Sequence, residues 1–264
     1  MDLGLKNKVV IITGPAKGMG AAITHAFATE GAHLGLFGRD VAAIEPIAES
    51  CRKLGVTVSV VKCDVTDENA VDAAVTQIAN IHKGQIDILV NVAGGTGPIG
   101  KTGATTTAAE FDEIVHLNMR GPFNLIKAVA PYMQTQKSGK VVNVGGTFGM
   151  KGRAGRLAYS SSKWGLRGIT KSFALELGPD NINVNCVAPG MVDGPRFRDK
   201  VVPEMAARLG ITEVEAASQH AADYALKRIS TDEDVAAATL FLASDISKQI
   251  TGVDLPVDGG WASL

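Results

Sequence analysis

Two residues four apart in the stretch AYSSSK, Tyr159 and Lys163, have the types and spacing for acid–base chemistry. The surrounding pattern is helical, so both side chains lie on one face. A tyrosine with an ordinary pKa near ~10 is a poor base at neutral pH, but a nearby ammonium stabilises its phenolate form. Such a tyrosine can give a proton to a carbonyl oxygen or take one from an alcohol. The spacing alone is a weak signal, however, because most tyrosine and lysine residues four apart are only surface neighbours.

A glycine-rich loop, TGPAKGMG, follows the first apolar run of the chain and leads into a helical stretch. Gly14, Gly18 and Gly20 allow a tight turn and a close approach of the backbone to a pyrophosphate, which the N-terminus of the helix would bind. The same loop is also compatible with an ordinary strand-to-helix turn. Its place at the first strand–helix junction favours a dinucleotide site.

Seven short, largely β-branched apolar runs alternate with helical stretches, and the fold they form would position these residues. The runs are 9–14, 33–38, 57–64, 86–94, 140–146, 182–190 and 253–260. Nearly continuous apolar character is typical of strands covered on both faces. The alternation predicts βαβ units and an α/β fold with a mostly parallel seven-stranded sheet.

Length and composition limit the class of protein. The chain has 264 residues with 45% hydrophobic residues, which suits one α/β domain over residues 1–264. A net charge of −1 argues against a nucleic-acid partner, and we expect neither a signal peptide nor a membrane-spanning segment. Three scattered cysteines favour the cytoplasm over a disulfide framework and suggest no metal site. Residues 193–228 lack strand character and predict a two-helix substrate lid over the crevice.

The spacing of the glycine loop, together with NVAG at 91–94 and YSSSK at 159–163, resembles the short-chain dehydrogenase/reductase family, in its single-domain branch. CDVTD, HLNMRGPFN, VAPGMV and a terminal DGGW fall in the family's order, so the resemblance covers nearly the whole chain. It implies a three-layer, doubly wound Rossmann fold that binds NAD(P), an alcohol dehydrogenase or ketoreductase activity on a secondary alcohol and its carbonyl, and a homotetramer.

The resemblance also implies roles for individual residues. Tyr159 is the acid/base, Lys163 also binds the nicotinamide ribose, and Asn118 positions a water that links Lys163 to solvent. The alternative for Asn118 is a capping or buried structural amide. The implied cofactor-binding residues, besides Tyr159 and Lys163, are Gly14, Lys17, Gly18, Met19, Gly20, Arg39, Asp64, Val65, Asn91, Ala93, Gly94, Pro189, Gly190 and Val192.

The choice between NADP(H) and NAD(H) depends on the end of the second strand, where an acidic residue would bind the ribose hydroxyls of NAD. This chain has Gly38 there, followed by Arg39, and Lys17 is a second cation nearby. These residues favour NADP(H), with NAD(H) as the alternative. Asp40 could pair with Arg39 or face the ribose, and Arg39 could be a solvated surface charge.

The family pattern places a serine thirteen residues before the tyrosine, where this chain has Gly146, preceded by Gly145. Thr147 could supply the hydroxyl if the strand end is bulged or shifted. Alternatively, a backbone N–H or a substrate group replaces it, and the glycines make room for the substrate. A third interpretation is a catalytically weak dinucleotide-binding or sensing protein. A lyase or dehalogenase is a further rival, but this chain keeps the glycine loop and Lys163.

Four arginines flank the predicted pocket: Arg153 and Arg156 before the tyrosine, and Arg196 and Arg198 at the start of the 193–228 segment. Guanidinium groups suit carboxylate, sulfonate or phosphate. We therefore predict a substrate that carries an anionic group. The substrate would bind beside Gly146 and Thr147, and Arg153 and Arg196 would bind its anionic group. The alternative is that these are surface or subunit-interface charges.

Overall fold

Seven parallel strands form one sheet in the computed structural model, which describes residues 2–262. The strands, β1 to β7 in chain order, are Val9–Thr13, His33–Gly38, Val58–Lys62, Ile88–Asn91, Gly139–Val144, Ile182–Pro189 and Asp254–Val257. Each predicted apolar run contains one of them, apart from a residue at the start of β5. The spatial order is β3-β2-β1-β4-β5-β6-β7 and every pairing is parallel. The predicted doubly wound Rossmann fold is confirmed.

Helices cover both faces of the sheet. Those within residues 2–262, α1 to α9, are Met19–Thr29, Val41–Arg52, Glu68–Ile81, Ala108–Val115, Gly121–Gln136, Leu157–Leu177, Val202–Leu209, Glu213–Ala222 and Asp232–Ala243. Along β1, Val10 and Ile12 pack with α1, α2 and α9, whereas Val9 and Ile11 pack with α3, α5 and α6. Alternate side chains of one strand thus enter two separate cores, because successive residues point to opposite faces.

The topology creates a crevice beside the carboxyl end of β1. β1 pairs with β2 on one side and β4 on the other, so the chain reverses its direction of winding there. Ligands of open α/β sheets bind at such a switch point. The ends of β4, β5 and β6 continue the same edge, which brings the glycine loop, Gly146 and Pro189 to one side of the sheet.

The 193–228 segment contains a π-helical turn, Phe197–Val201, followed by α7 and α8. The two predicted helices are therefore present. Phe197, Val202, Ala206 and Ala216 form a small apolar core of their own. Tyr224 ties the segment to the sheet, because its hydroxyl accepts a hydrogen bond from the Met191 N–H at 3.1 Å. The role as a substrate lid stays a prediction.

Candidate active site

Tyr159 and Lys163 lie in the first two turns of α6, as the helical pattern predicted. The Lys163 Nζ is 5.7 Å from the centre of the Tyr159 ring and donates a hydrogen bond to the Val144 carbonyl at 2.9 Å. Lys163 is only 7% exposed. The pair is therefore not a chance arrangement of surface neighbours, because the end of β5 holds the ammonium beside the tyrosine ring.

Asn118 lies in a π-helical turn, His116–Arg120, between α4 and α5. Its Oδ1 accepts from the Gly95 N–H at 2.8 Å, and its Nδ2 donates to the Gly95 carbonyl at 3.0 Å and to the Ser162 hydroxyl at 2.9 Å. A Cβ on Gly94 would come within 2.9 Å of that Oδ1 and 3.8 Å of the Lys163 Nζ. The side chain thus joins the loop after β4 to α6 beside Lys163. Its place in a proton relay stays a prediction.

The two glycines at the end of β5 face different neighbours. A Cβ on Gly146 would lie 3.1 Å from the Tyr159 hydroxyl and 3.9 Å from the Pro189 carbonyl oxygen. A Cβ on Gly145 would instead lie 2.6 Å from the Cys186 Sγ, so that sulfur occupies the space of a side chain. Position 146 therefore adjoins the candidate reacting hydroxyl, whereas position 145 belongs to the packing between β5 and β6.

The end of β5 does not bulge. Its register with β6 is unbroken up to Val144, and the Gly145 N–H continues the ladder with a 2.7 Å hydrogen bond to the Val187 carbonyl. Thr147 is 3% exposed and begins a short 3-10 turn, Thr147–Gly149. The bulge that would have shifted Thr147 into the serine position is therefore absent. A contact between the Thr147 hydroxyl and the substrate would have to be made from the 3-10 turn.

The glycine loop forms a cradle at the switch point. Gly14 has a positive φ of 66°, and a Cβ there would lie 3.0 Å from the Ala93 backbone. A Cβ on Gly20 would come within 2.0 Å of the Gly14 carbonyl oxygen. Gly18, with φ 54°, precedes Met19, the first residue of α1. Side chains would block this bend, so the residues fit a dinucleotide phosphate at the N-terminus of α1.

The strands beside the cradle are fixed by polar side chains. The Thr13 hydroxyl accepts from the Val92 and Ala93 N–H groups at 3.1 and 3.0 Å. Asn91 donates to the Asn143 side-chain oxygen at 2.9 Å, and this connects β4 to β5. These hydrogen bonds fix the ends of β1, β4 and β5 relative to one another beside the crevice.

The end of β2, where a carboxylate would favour NAD over NADP, has Gly38 instead. A Cβ on Gly38 would meet the Ile44 Cδ1 at 2.8 Å, so the isoleucine occupies part of that space. Arg39 and Lys17 are exposed. Asp40 caps α2 by accepting from the Ala43 N–H at 3.1 Å. One carboxylate oxygen of Asp40 serves this cap, and a contact of Asp40 with the ribose stays a prediction.

Asp64 and Val65, the two residues expected beside the adenine, differ in environment. Hydrogen bonds from the Thr66 N–H and hydroxyl lower the pKa of Asp64, and Arg39 lowers it further. The Val65 side chain is buried, and a Cβ on Gly121 would meet its Cγ2 at 2.8 Å. Asp64 thus stays charged beside Arg39, whereas the Val65 side chain packs against α5.

The predicted nicotinamide end adjoins Gly146. Pro189 ends β6, and the Gly190 N–H continues the pairing to β7 through the Val257 carbonyl at 3.0 Å. A Cβ on Gly190 would lie 2.9 Å from the Asp258 Cβ. Val192 forms an isolated bridge with Ser230. These residues bring the start of the 193–228 segment to the same edge of the sheet as Tyr159.

Aromatic residues that the sequence analysis did not assign form one wall of the site. The Phe148 ring is 6.1 Å from the Tyr159 ring and 5.6 Å from Trp261. Trp261 is 6.5 Å from Tyr224, which in turn lies 6.0 Å from His220 of α8. The terminal DGGW motif contained Trp261, but no local pattern predicts that these rings meet, since they come from distant parts of the chain.

The candidate anion-binding arginines occupy different environments. The Arg153 guanidinium is 5.5 Å from the Phe148 ring centre, and the Arg156 guanidinium is 4.9 Å from that of Tyr159. Arg196 is close enough that its charge lowers the pKa of Arg156, after the larger effect of burial. Arg198 instead forms an exposed ion pair with Asp193 at 2.8 Å. A cavity of about 550 Å³ adjoins this cluster and is lined by Lys151, Arg153, Tyr224, Lys227, Trp261 and four neighbours.

Within residues 2–262, no group of three or more potential ligands could hold a metal ion. No helix in that range is long and apolar enough to span a membrane.

Comparison with known proteins agrees with this geometry. The family described as "Enoyl-(Acyl carrier protein) reductase" matches residues 14–262. The chain is 34% identical over 256 residues to the 3-oxoacyl-[acyl-carrier-protein] reductase FabG of Thermotoga maritima, covering 97% of this chain and 98% of that protein. It is 35% identical over 259 residues to D-xylose 1-dehydrogenase of Caulobacter vibrioides, covering 97% and 96%.

Solved structures give the same result. NAD⁺-bound xylitol dehydrogenase superposes with a TM-score of 0.89 at 30% identity, covering 97% of this chain and 99% of the other. Levodione reductase superposes with a TM-score of 0.88 at 32% identity, covering 98% of each chain. The chain belongs to the short-chain dehydrogenase/reductase family and is an NAD(P)-dependent alcohol dehydrogenase or ketoreductase.

Proposed function

We propose that this enzyme interconverts an anionic secondary alcohol and its carbonyl with NADP(H). One observation carries the proposal: the Tyr159 hydroxyl lies against Gly146, with Lys163 beside the ring and the glycine cradle on the same sheet edge. The names of the relatives mention an acyl-carrier-protein derivative, a sugar and levodione. The substrate proposal therefore rests on the charges of this chain's own pocket.

In this proposal Tyr159 donates a proton to the carbonyl oxygen during reduction and removes it from the alcohol during oxidation. Lys163 stabilises the phenolate and binds the nicotinamide ribose. Asn118 helps to position the water that connects Lys163 to solvent. The nicotinamide supplies or accepts the hydride when bound. The residues of this chain hold the substrate, exclude water and move the proton.

The absence of a side chain at Gly146 distinguishes this site from the family pattern. Removing one hydrogen-bond donor to a reacting oxygen typically costs roughly 10²–10³ in rate. We propose that a substrate group or Thr147 makes up for the missing hydroxyl, and that the glycine admits a larger substrate. A catalytically weak sensing protein is the rival, since Gly146 leaves no side chain at that position.

The preference for NADP(H) is supported by three features of the adenosine end. Gly38 offers no carboxylate, Ile44 fills part of the space that one would need, and Asp40 is engaged in capping α2. Lys17 and Arg39 are exposed cations at the same end. Guanidinium and ammonium groups suit the 2′-phosphate that distinguishes NADP from NAD.

We also propose a cytoplasmic homotetramer. Cys51, Cys63 and Cys186 are all free and buried, which suits a reducing compartment. The outer faces of α5 and α6 carry the exposed apolar residues Phe123, Trp164 and Leu175, the last of which is 81% exposed. Burial of these residues against a second copy of the chain would remove them from water. Light scattering of purified protein tests the stoichiometry.

The first experiment follows absorbance at the reduced-nicotinamide band. Wild type is assayed against alcohols and carbonyls weighted toward anionic compounds, with NAD(H) and NADP(H) side by side and Tyr159→Phe as the blank. Turnover that disappears in Tyr159→Phe and is faster with NADP(H) supports the proposal. Cofactor binding measured by fluorescence without turnover favours the sensing protein.

A further inference from the structure

Arg156 is a buried guanidinium that forms no ion pair within residues 2–262. The residue is 7% exposed, and its Nε is buried and makes no hydrogen bond. Aromatic rings flank it instead: the guanidinium lies 4.9 Å from the centre of the Tyr159 ring and 5.9 Å from that of Phe148. Arginine is almost never buried in this way unless it is paired.

The surroundings of Arg156 add positive charge. Burial lowers its pKa, and the nearby charges of Arg196 and Arg153 lower it further. Arg153 also contacts Phe148, and Lys151 lies over Trp261 at 5.0 Å, so two further cations lie against the aromatic wall. Asp223 is the acidic residue that lines the adjoining cavity. An isolated charge in a low-dielectric site is costly, and a bound anion would offset that cost.

The position of Arg156 restricts where an anion can bind. Arg156 precedes Tyr159 by three residues and stacks on the ring that carries the candidate reacting hydroxyl. Arg153 stacks one ring further out, on Phe148. An anion bound to Arg156 would therefore lie near the Tyr159 ring, whereas an anion bound to Arg153 would lie near Phe148 and the outer cavity.

We propose that Arg156 binds the carboxylate of a 2-oxo or 3-oxo acid and of the corresponding hydroxy acid. This inference rests on the proposed oxidoreductase function. A guanidinium holds a carboxylate through two parallel hydrogen bonds, which fix its orientation. Orientation of the substrate is then set by its own carboxylate rather than by a serine hydroxyl, and this accounts for the absence of a side chain at Gly146.

The reaction balances with the cofactor of the proposed function. In the reductive direction the carbonyl carbon receives the hydride of the reduced nicotinamide, and the carbonyl oxygen receives the Tyr159 proton. The oxo acid becomes a hydroxy acid, the nicotinamide is oxidised, and Tyr159 regains a proton from solvent. Arg156 stays charged throughout and acts by binding and orienting the substrate.

The first test compares each oxo acid with its methyl ester in wild type, Arg156→Gln and Arg156→Lys. We expect Arg156→Gln to raise KM for the acid roughly 10- to 100-fold, the value of a charge-assisted hydrogen-bonded contact, and to leave KM for the ester unchanged. Arg156→Lys should recover part of the loss. Arg198→Gln is the matched control, because Arg198 is exposed and paired with Asp193. Equal effects on acid and ester, or a wild type that prefers the ester, would overturn the inference.

A binding experiment separates this inference from the proposed function. Trp164→Phe leaves Trp261 as the only tryptophan of the chain, and benzoate and benzamide serve as unreactive probes. We expect benzoate, but not benzamide, to change Trp261 fluorescence, and Arg156→Gln to abolish the change. This result would stand even if no tested compound is turned over. Equal responses to both probes, or a benzoate response that survives in Arg156→Gln, would refute the role of Arg156. Circular dichroism of each variant checks folding.

Discussion

Gly145→Ala should destabilise the protein through one identifiable contact. The new Cβ would lie 2.6 Å from the Cys186 Sγ, well inside ordinary van der Waals contact, which begins at 3.4 Å. Neither partner moves easily, because Cys186 is 1% exposed within β6 and the Gly145 N–H is bonded to Val187 at 2.7 Å. Overpacking of this kind typically costs about 1–3 kcal/mol of the free energy of unfolding.

Removal of the sulfur should reverse most of that loss. Cys186→Ala alone deletes one buried atom and should cost about 1 kcal/mol, a value near that of a buried methylene. In the double variant, the methyl group introduced by Gly145→Ala occupies space that the sulfur vacated. The double variant should therefore be more stable than the sum of the single effects by about 1–3 kcal/mol, in the range expected for residues in contact.

Urea unfolding followed by circular dichroism gives these free energies, at one protein concentration because an oligomer's stability depends on it. Gly152→Ala is the control, since a Cβ there meets nothing within 4 Å and the residue is exposed; it should change stability by less than about 0.5 kcal/mol. A Gly145→Ala variant as stable as Gly152→Ala, or additive effects in the double variant, would refute the packing argument.

Three further predictions concern Arg39, His220 and the three cysteines. Arg39→Gln should raise KM for NADPH roughly 10- to 100-fold without changing KM for NADH. The control is Arg52→Gln, which should change neither KM because Arg52 is paired with Glu49. Equal increases of KM for both cofactors would contradict the 2′-phosphate contact. Burial lowers the pKa of His220 below its ordinary 6.5, and the charge of Arg153 lowers it further. The stability that the neutral His220 contributes is therefore complete above pH 6.5, and it is lost as the pH falls through the pKa of His220 in the folded state. The unfolding free energy of wild type should therefore decrease more between about pH 7.5 and 5.5 than that of His220→Phe, and parallel decreases would disprove the assignment. Burial raises the pKa of Cys63 to about 11 and that of Cys186 to about 12, so Ellman's reagent at about pH 8 should label all three cysteines only after unfolding in urea; rapid labelling of native protein would show that the thiols are accessible.

The sequence predicted the elements of the fold because their signals are local. Each of the seven strands is a short, largely apolar run between helical stretches, and the glycine loop marks the first strand–helix junction. The start of the helix α9 also has a local signal, because Thr231 and Asp234 form a capping box there. The π-helical turn at Asn118 between α4 and α5 is different, because it accompanies contacts of that side chain with Gly95 and Ser162, which are distant in the chain.

The sequence by itself determined the parallel α/β order and the pairing of Tyr159 with Lys163, since both follow from spacing along one chain segment. Only the tertiary structure decided which glycine faces the reacting hydroxyl and that Cys186 fills the space at Gly145. It also decided that Arg156 is buried with no ion pair among residues 2–262, whereas Arg198 is exposed and paired. These features depend on contacts between residues far apart in the chain. Strand register and helix packing set such contacts, and no local pattern encodes them.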